Sequence, residues 1–249
     1  MPNQHGAWPM LLLPFVVGTV RGIQDAGFRP VTVALAALWL VGYLAYFAAG
    51  LWLKSRRRER YRRPMLTYGA TAAAFGLLVL VLDPALALWA PAFVPFLALG
   101  LWASAQRTER SVAAGGAMTV AASLMTVVAY AACRPPGAPV LAVPAEVWLV
   151  AALLLAYLFG TVLYVKTMIR ERGVRSYVVA SVAYHAVVTV AAGVLVVVHD
   201  PTWWWATAFL AAATVRAAVL PGQPLSPKAV GIGEMVATVL LLAVALVVR

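Results

Sequence analysis

Two ten-residue strings carry most of the chemistry this sequence offers, and they match. Lys54-Ser55-Arg56-Arg57-Arg58-Glu59-Arg60-Tyr61-Arg62-Arg63 and Lys166-Thr167-Met168-Ile169-Arg170-Glu171-Arg172-Gly173-Val174-Arg175 both read K-[ST]-x-x-R-E-R-x-x-R. Seven of the ten residues in the first string are Lys or Arg, so part of the match follows from composition alone. The in-register Lys, Ser/Thr and Glu do not. An ammonium beside planar guanidinium forks suits phosphate or diphosphate oxygens, which the forks bind bidentately. Lys54, Arg58 and Arg60, with Lys166, Arg170 and Arg172, are therefore the candidate anion-binding residues.

Spacing adds a geometric expectation. Lys54/Arg58 and Lys166/Arg170 stand four apart, so a helix continued for one more turn puts each pair on one face. Glu59/Arg63 and Glu171/Arg175 repeat that spacing in the orientation that favours helical ion pairs. Lys54 and Lys166 also fall where the carbonyl end of a helix attracts a cation. A weaker echo, Arg107-Thr108-Glu109-Arg110-Ser111, adds Arg107 and Arg110 as supporting residues. Basic segments beside a membrane also serve orientation and contact with anionic headgroups. Orientation needs charge, however, and does not need Lys, Ser/Thr and Glu in a fixed order.

The elements that must position these strings are apolar. Of the 249 residues, 64% are hydrophobic and only 11% charged, against about 25% charged in soluble proteins. Runs of about 20 apolar residues, enough to cross a bilayer core, recur along the whole length. They lie at roughly 7–20, 30–53, 66–82, 85–103, 112–132, 144–165, 176–198, 203–220 and 229–248. The fold class expected is all-α: a polytopic membrane bundle of about nine transmembrane helices, forming a single integral membrane domain over residues 1–249. Asp83-Pro84 and Asp200-Pro201 read as tight turns between helices.

All of the 19 basic residues except Arg21, Arg29, Arg134 and Arg249 follow the second, fourth, sixth and eighth runs. Basic loops stay in the cytoplasm, so the expected N-terminus is cytoplasmic, the C-terminus is outside, and the location is a cell membrane. The net charge of +11 is spread over loops between spans, which excludes nucleic acid as the partner it serves.

Single residues offer less. His185, beside Tyr184 inside the seventh run, is a functional candidate by default, and a histidine bonded between helices accounts for it equally well. Glu234 is a near-buried acid expected to pair with Arg216 or Lys228. His5 reads as a cap on the first run. The lone Cys133, read as part of a loop with Arg134-Pro135-Pro136-Gly137, rules out an internal disulfide. Trp148 and Trp203-Trp204-Trp205 read as interfacial aromatics. Gly115-Gly116 and Gly231-x-Gly233 read as places where helices approach closely.

The opening Asn3-Gln4-His5-Gly6-Ala7-Trp8-Pro9-Met10-Leu11-Leu12-Leu13-Pro14-Phe15 resembles the start of the YwiC-like family of bacterial integral membrane proteins. So do Lys54–Pro64, Thr108-Glu109-Arg110-Ser111 and Val165–Arg172. The family implies a bacterial membrane location and says little about chemistry. Nine spans, a cytoplasmic N-terminus and paired loops after the second and sixth spans also resemble the UbiA superfamily of intramembrane prenyltransferases. That likeness implies a UbiA-like arrangement with a parallel four-span internal repeat and an isoprenoid or lipid diphosphate as ligand. It further implies transfer or cyclisation, with Tyr68 and Tyr184 stabilising a carbocation. The sequence departs from the superfamily where Asp-rich motifs would hold magnesium. Magnesium prefers carboxylate oxygens, and Glu59 and Glu171 are each flanked by arginine, so Lys and Arg would meet the diphosphate directly. No metal or other cofactor is assigned, and no catalytic residue. Besides membrane lipids, the partner expected is that diphosphate. Two non-enzymatic readings stand beside it: a transporter or sensor of a small anion or lipid, and a structural membrane subunit.

Overall fold

A computed structural model describes residues 7–249, so His5 and the string before it lie outside the described residues. The helices are α1 (Ala7–Ala26), α2 (Val31–Lys54), α3 (Arg62–Leu82), α4 (Ala90–Ala105), α5 (Val112–Cys133), α6 (Ala145–Ile169), α7 (Arg175–Val198), α8 (Trp204–Val219) and α9 (Pro227–Val247). Short 3-10 turns at Glu59–Tyr61, Pro84–Trp89 and Pro201–Trp203 lead into α3, α4 and α8. Among the described residues there is no strand, and a helix stands at each of the nine apolar runs.

Among the described residues, seven helices, α2 to α7 and α9, are long and apolar enough to cross a membrane, α3 and α4 together with the 3-10 turns that lead into them. Their outward faces are apolar too: Val81 is 72% and Val197 86% exposed, as expected of helices whose surroundings are lipid. The other two do not qualify. The 16 residues of α8 rise about 24 Å, short of a core of about 30 Å, whereas α4, no longer by itself, is extended to 22 residues by the turn Pro84–Trp89 that leads into it. In α1, Arg21, Gln24 and Asp25 extend the helix past the apolar run that ends near residue 20.

The chain forms two compact units, Pro14–Trp148 and Leu149–Arg249, the latter with the first turns of α1. In the first unit α2 packs against α3, α4 and α5. Helix α5 is the most enclosed, with Thr119, Val127, Ala129 and Ala132 fully buried. Helix α1 reaches it through Gly18, whose missing side chain makes room for the Thr126 backbone carbonyl, and through Gly22. A Cβ on Gly22 would stand 2.7 Å from that of Cys133. Cys133 is therefore the buried last residue of α5 and not part of a loop. Gly231 and Gly233, by contrast, have open space around them, so the close approach expected there is made at α1 instead. At one end of the unit Arg29 binds Asp83 at 2.8 Å and the carbonyl of Arg134, while Tyr130 donates to Asp25 at 2.9 Å.

In the second unit α7 packs against α8, and α8 against α9. Tyr157 and Leu154 of α6 are buried. Trp203 differs from its two neighbours: it is only 2% exposed, and its indole donates to the Arg249 carbonyl at 2.8 Å. Asp200 accepts from the Thr202 backbone at 2.7 Å, and bonds from Thr202 hold its carboxyl below the ordinary range.

Candidate anion-binding site

The first basic string does not continue its helix. Helix α2 stops at Lys54, and Arg56 and Arg57 take left-handed backbone angles, φ 58° and 61°. A non-glycine residue pays roughly 1–2 kcal/mol for that conformation. Several bonds hold the turn against the cost. The amides of Arg56 and Arg57 donate to Leu53 and Trp52 carbonyls at 3.1 and 2.8 Å. Ser55 Oγ donates back to the Trp52 carbonyl at 2.9 Å and accepts from the Arg58 amide at 3.3 Å. The Arg57 guanidinium lies 5.5 Å from the Trp52 ring centre. The expected helical face for Lys54 and Arg58 is thus replaced by a tight turn, and Glu59 pairs with Arg62 at 3.4 Å where Arg63 was expected.

This turn borders an open cavity of about 690 Å³. Lys54, Arg56, Arg58, Arg60 and Arg107 line it with Ser55, Leu51 and Tyr61, and among the described residues no carboxylate does. Three of the six candidate anion-binding residues and one supporting residue therefore converge here. Arg60 is stacked 4.6 Å from the Tyr61 ring centre and donates to its hydroxyl at 2.7 Å. Arg107, at the end of α4, is also left-handed at φ 58°. The loop that carries it supplies Glu109, which closes an ion pair with Lys54. Partial burial pushes the Glu109 carboxyl up, but the Lys54 bond, a backbone bond and the charges of Lys54 and Arg110 outweigh this and hold it below the usual range.

The second string takes another path. Helix α6 runs to Ile169, three residues past the position that matches the end of α2. The reason is burial: Met168 is 3% exposed and packs with Tyr164, Ala217 and Val230, whereas Arg56 in the matching position of the first string is exposed. The shared hydroxyl does the same work in both strings, since Thr167 Oγ1 donates to the Tyr164 carbonyl at 2.7 Å, as Ser55 does to Trp52. The charges here turn inward. Lys166 is 3.8 Å from Glu171 and 5.6 Å from the Tyr177 ring centre, with only 11% of its side chain exposed. Glu171 pairs with Lys166 and not with Arg175, which opens α7. Arg172 donates to the Gln223 carbonyl, and Gly173 supplies the left-handed turn at φ 84°. Arg170 stays within one helical turn of Lys166, its amide donating to the Lys166 carbonyl at 3.0 Å.

The remaining candidates stand apart from the cavity's lining. Arg63 and Tyr68 lie on α3, where Tyr68 is 39% exposed, and Arg110 lies two residues before α5. Tyr184 donates to the Ala156 carbonyl at 3.1 Å. His185 Nδ1 donates to the Ser181 carbonyl at 2.7 Å, and its ring fills the space left by Gly160 on α6. Glu234 does pair with Arg216, and its other oxygen accepts from Tyr157 and Thr161, each at 2.9 Å. The Arg216 guanidinium lies 4.2 Å from the Tyr164 ring centre. Among the described residues, no three of His, Cys, Asp and Glu converge as a metal-binding set. Sequence reasoning missed the roles of Arg56 and Glu109. Glu109's signal was an acid embedded in the echo string.

The chain matches the family described as YwiC-like protein over residues 1–130, more than half of its length. The protein belongs to the YwiC-like family. The matched stretch contains the first string, every residue that lines the cavity, and Glu109. The chain is also 35% identical over 86 residues to the uncharacterized protein YwiC of Bacillus subtilis (strain 168). That alignment covers 34% of each chain, so the match spans about a third of the relative's length. No solved structure matches this chain.

Proposed function

We propose that this YwiC-like membrane protein binds the headgroup of an isoprenoid or lipid diphosphate in the basic cavity beside the first string. One observation carries the reading: among the described residues, five cationic side chains and no carboxylate line an open cavity at the end of an apolar helix. Arginine forks and an ammonium contact phosphate oxygens directly, which is the role a metal plays in UbiA-like sites. The apolar outward faces of the helices suit a lipid tail. In this reading α1 and α8 cross the bilayer together with the seven helices of spanning length, so the basic loops face the cytoplasm, the N-terminus is cytoplasmic, the C-terminus is outside, and the bundle sits in the bacterial inner membrane. Binding, rather than turnover, is what the cavity argues.

The test is native mass spectrometry of the detergent-purified protein with a panel of prenyl diphosphates, with and without magnesium. A hydrogen bond to a charged group contributes about 1.5–3 kcal/mol, so Lys54→Ala/Arg58→Ala should weaken binding by about a hundredfold or more. Lys166→Ala/Arg170→Ala should weaken it much less. A protein that binds nothing in the panel, or binds equally well without Lys54 and Arg58, sinks the reading.

A second reading, movement of a small anion or lipid across the bilayer, is favoured by the Arg216–Glu234 pair. Ionisable residues within membrane bundles are rare and mark transport pathways. Proteoliposome uptake that is lost in Arg216→Met while diphosphate binding persists would select it.

A further inference from the structure

We infer that Glu109 is a built-in counter-ion that a ligand must displace from Lys54, so the Glu109 side chain gates the basic cavity. This rests on the reading above and adds its regulation. Lys54 is a cavity-lining cation whose ammonium is closed onto a carboxylate that does not line the cavity. That carboxylate is held by one oxygen only: Glu109 Oε2 is buried and has no hydrogen-bond partner. A buried acceptor left unmade is costly, so Glu109 gains by leaving for water once something else neutralises Lys54.

The pair is also easy to open. The Lys54 and Glu109 side chains are 42% and 25% exposed, and ion pairs in that setting are weak. An ammonium has three donors and could in principle hold both anions. Doing so would seat a carboxylate against the ligand's own oxyanion, and like charges brought together this way repel. Displacement avoids that repulsion.

The loop holds its place while the side chain moves. Arg107 stands two residues before Glu109, lines the same cavity, and is held in a left-handed conformation. The Thr108 amide ties the loop to the Ala103 carbonyl at 2.7 Å, and Ser111 caps α5 by accepting from the Ala114 amide at 3.1 Å. Across them the Ser111 amide donates to the Thr108 carbonyl at 2.9 Å, which closes the backbone of the turn and leaves the Glu109 side chain as the part that swings. Release of that side chain therefore frees the Lys54 ammonium beside Arg107 without unfolding the turn. The ligand chemistry is a terminal phosphate or diphosphate, whether it arrives on a lipid or free.

The test is a double-mutant cycle on the full chain in detergent, with farnesyl diphosphate and inorganic diphosphate as probes. Glu109→Gln should tighten binding up to about fivefold, the strength of a part-exposed ion pair. In a Lys54→Gln background the same change should do nothing, because Glu109 acts through Lys54. Tightening of equal size in both backgrounds would mean that Glu109 acts as a diffuse charge, and weakening would mean that it positions Lys54 productively. Either result overturns the gate. If the glutamine variant does not fold, Glu109→Asp, which shortens the reach and keeps the charge, should show the same dependence on Lys54. Inorganic diphosphate binding as tightly as the farnesyl ester identifies the free anion as the ligand; preference for the ester identifies the lipid. If neither probe binds the unmodified protein, the proposed function itself falls. If both bind and the cycle shows no coupling, only the gate does.

Discussion

Breaking the Arg216–Glu234 pair one partner at a time should cost far more than removing both. Each side chain is mostly enclosed, 18% and 11% exposed. Glu234 accepts from Arg216 through one oxygen and from Tyr157 and Thr161 through the other. Glu234→Met leaves Arg216 with Tyr164 and Tyr157 ring faces and no counter-charge. Removing one partner of a buried pair costs about 3–5 kcal/mol, and the residual exposure puts each single variant near the lower figure. Replacing both with Met removes the stranded charge, and such replacements are often neutral. The coupling energy should then be about 3 kcal/mol or more. Equilibrium unfolding of the detergent-solubilised protein with rising SDS, followed by circular dichroism, measures all four corners of the cycle. Tyr157→Phe supplies an internal scale: loss of one bond to a charged oxygen should cost about 1.5–3 kcal/mol. Single costs that add within about 0.5 kcal/mol would refute the reasoning, because they would show that the two charges are solvated independently.

Three further outcomes follow from the packing and the titrations. Gly18→Ala should lower the unfolding midpoint, at about 1–3 kcal/mol for overpacking against the Thr126 carbonyl, while Gly231→Ala should be neutral or stabilising by up to about 1 kcal/mol. Because Glu109 titrates below its ordinary value, its tie to Lys54 is fully present above about pH 4.3 and is lost as pH falls through the lowered pKa; Glu109→Gln should flatten that acid-side loss in unfolding midpoints taken from about pH 6 to pH 3. Met168→Arg should destabilise the second unit by about 3 kcal/mol or more, since it sets a cation into the cluster of Tyr164, Ala217 and Val230, and loss of α6 helicity by circular dichroism should accompany it.

What the sequence made legible was what depends on local pattern. Apolar runs of membrane-spanning length announce helices without help from the rest of the chain, and a helix lies at each of them. The pairing of Glu234 with Arg216 was legible because few other ions stand near either residue in the sequence. The end of a helix was not. Whether the chain turns after Lys54 or continues past Lys166 depends on what the next residues can bury, and Met168 finds its cluster on α8 and α9, some 50 residues on. The Lys54–Glu109 pair spans 55 residues and was equally invisible. So was the choice of Gly18 and Gly22, rather than Gly231 and Gly233, as the glycines against which another helix lies.

The glycine face of α1 also constrains the order in which the protein can be made. Asp25 meets its partner Tyr130 only across 105 residues of chain, and Gly18 meets Thr126 at similar separation. At synthesis rates of about 5–20 residues per second, α1 waits roughly 5–20 s for α5 to emerge. During that interval Asp25 lacks the Tyr130 hydroxyl that binds it, and α1 by itself falls short of the length of apolar chain that marks the seven spanning helices. Helix α1 is therefore secured only after four further helices have been made, and its contacts with α5 close that stretch of the fold.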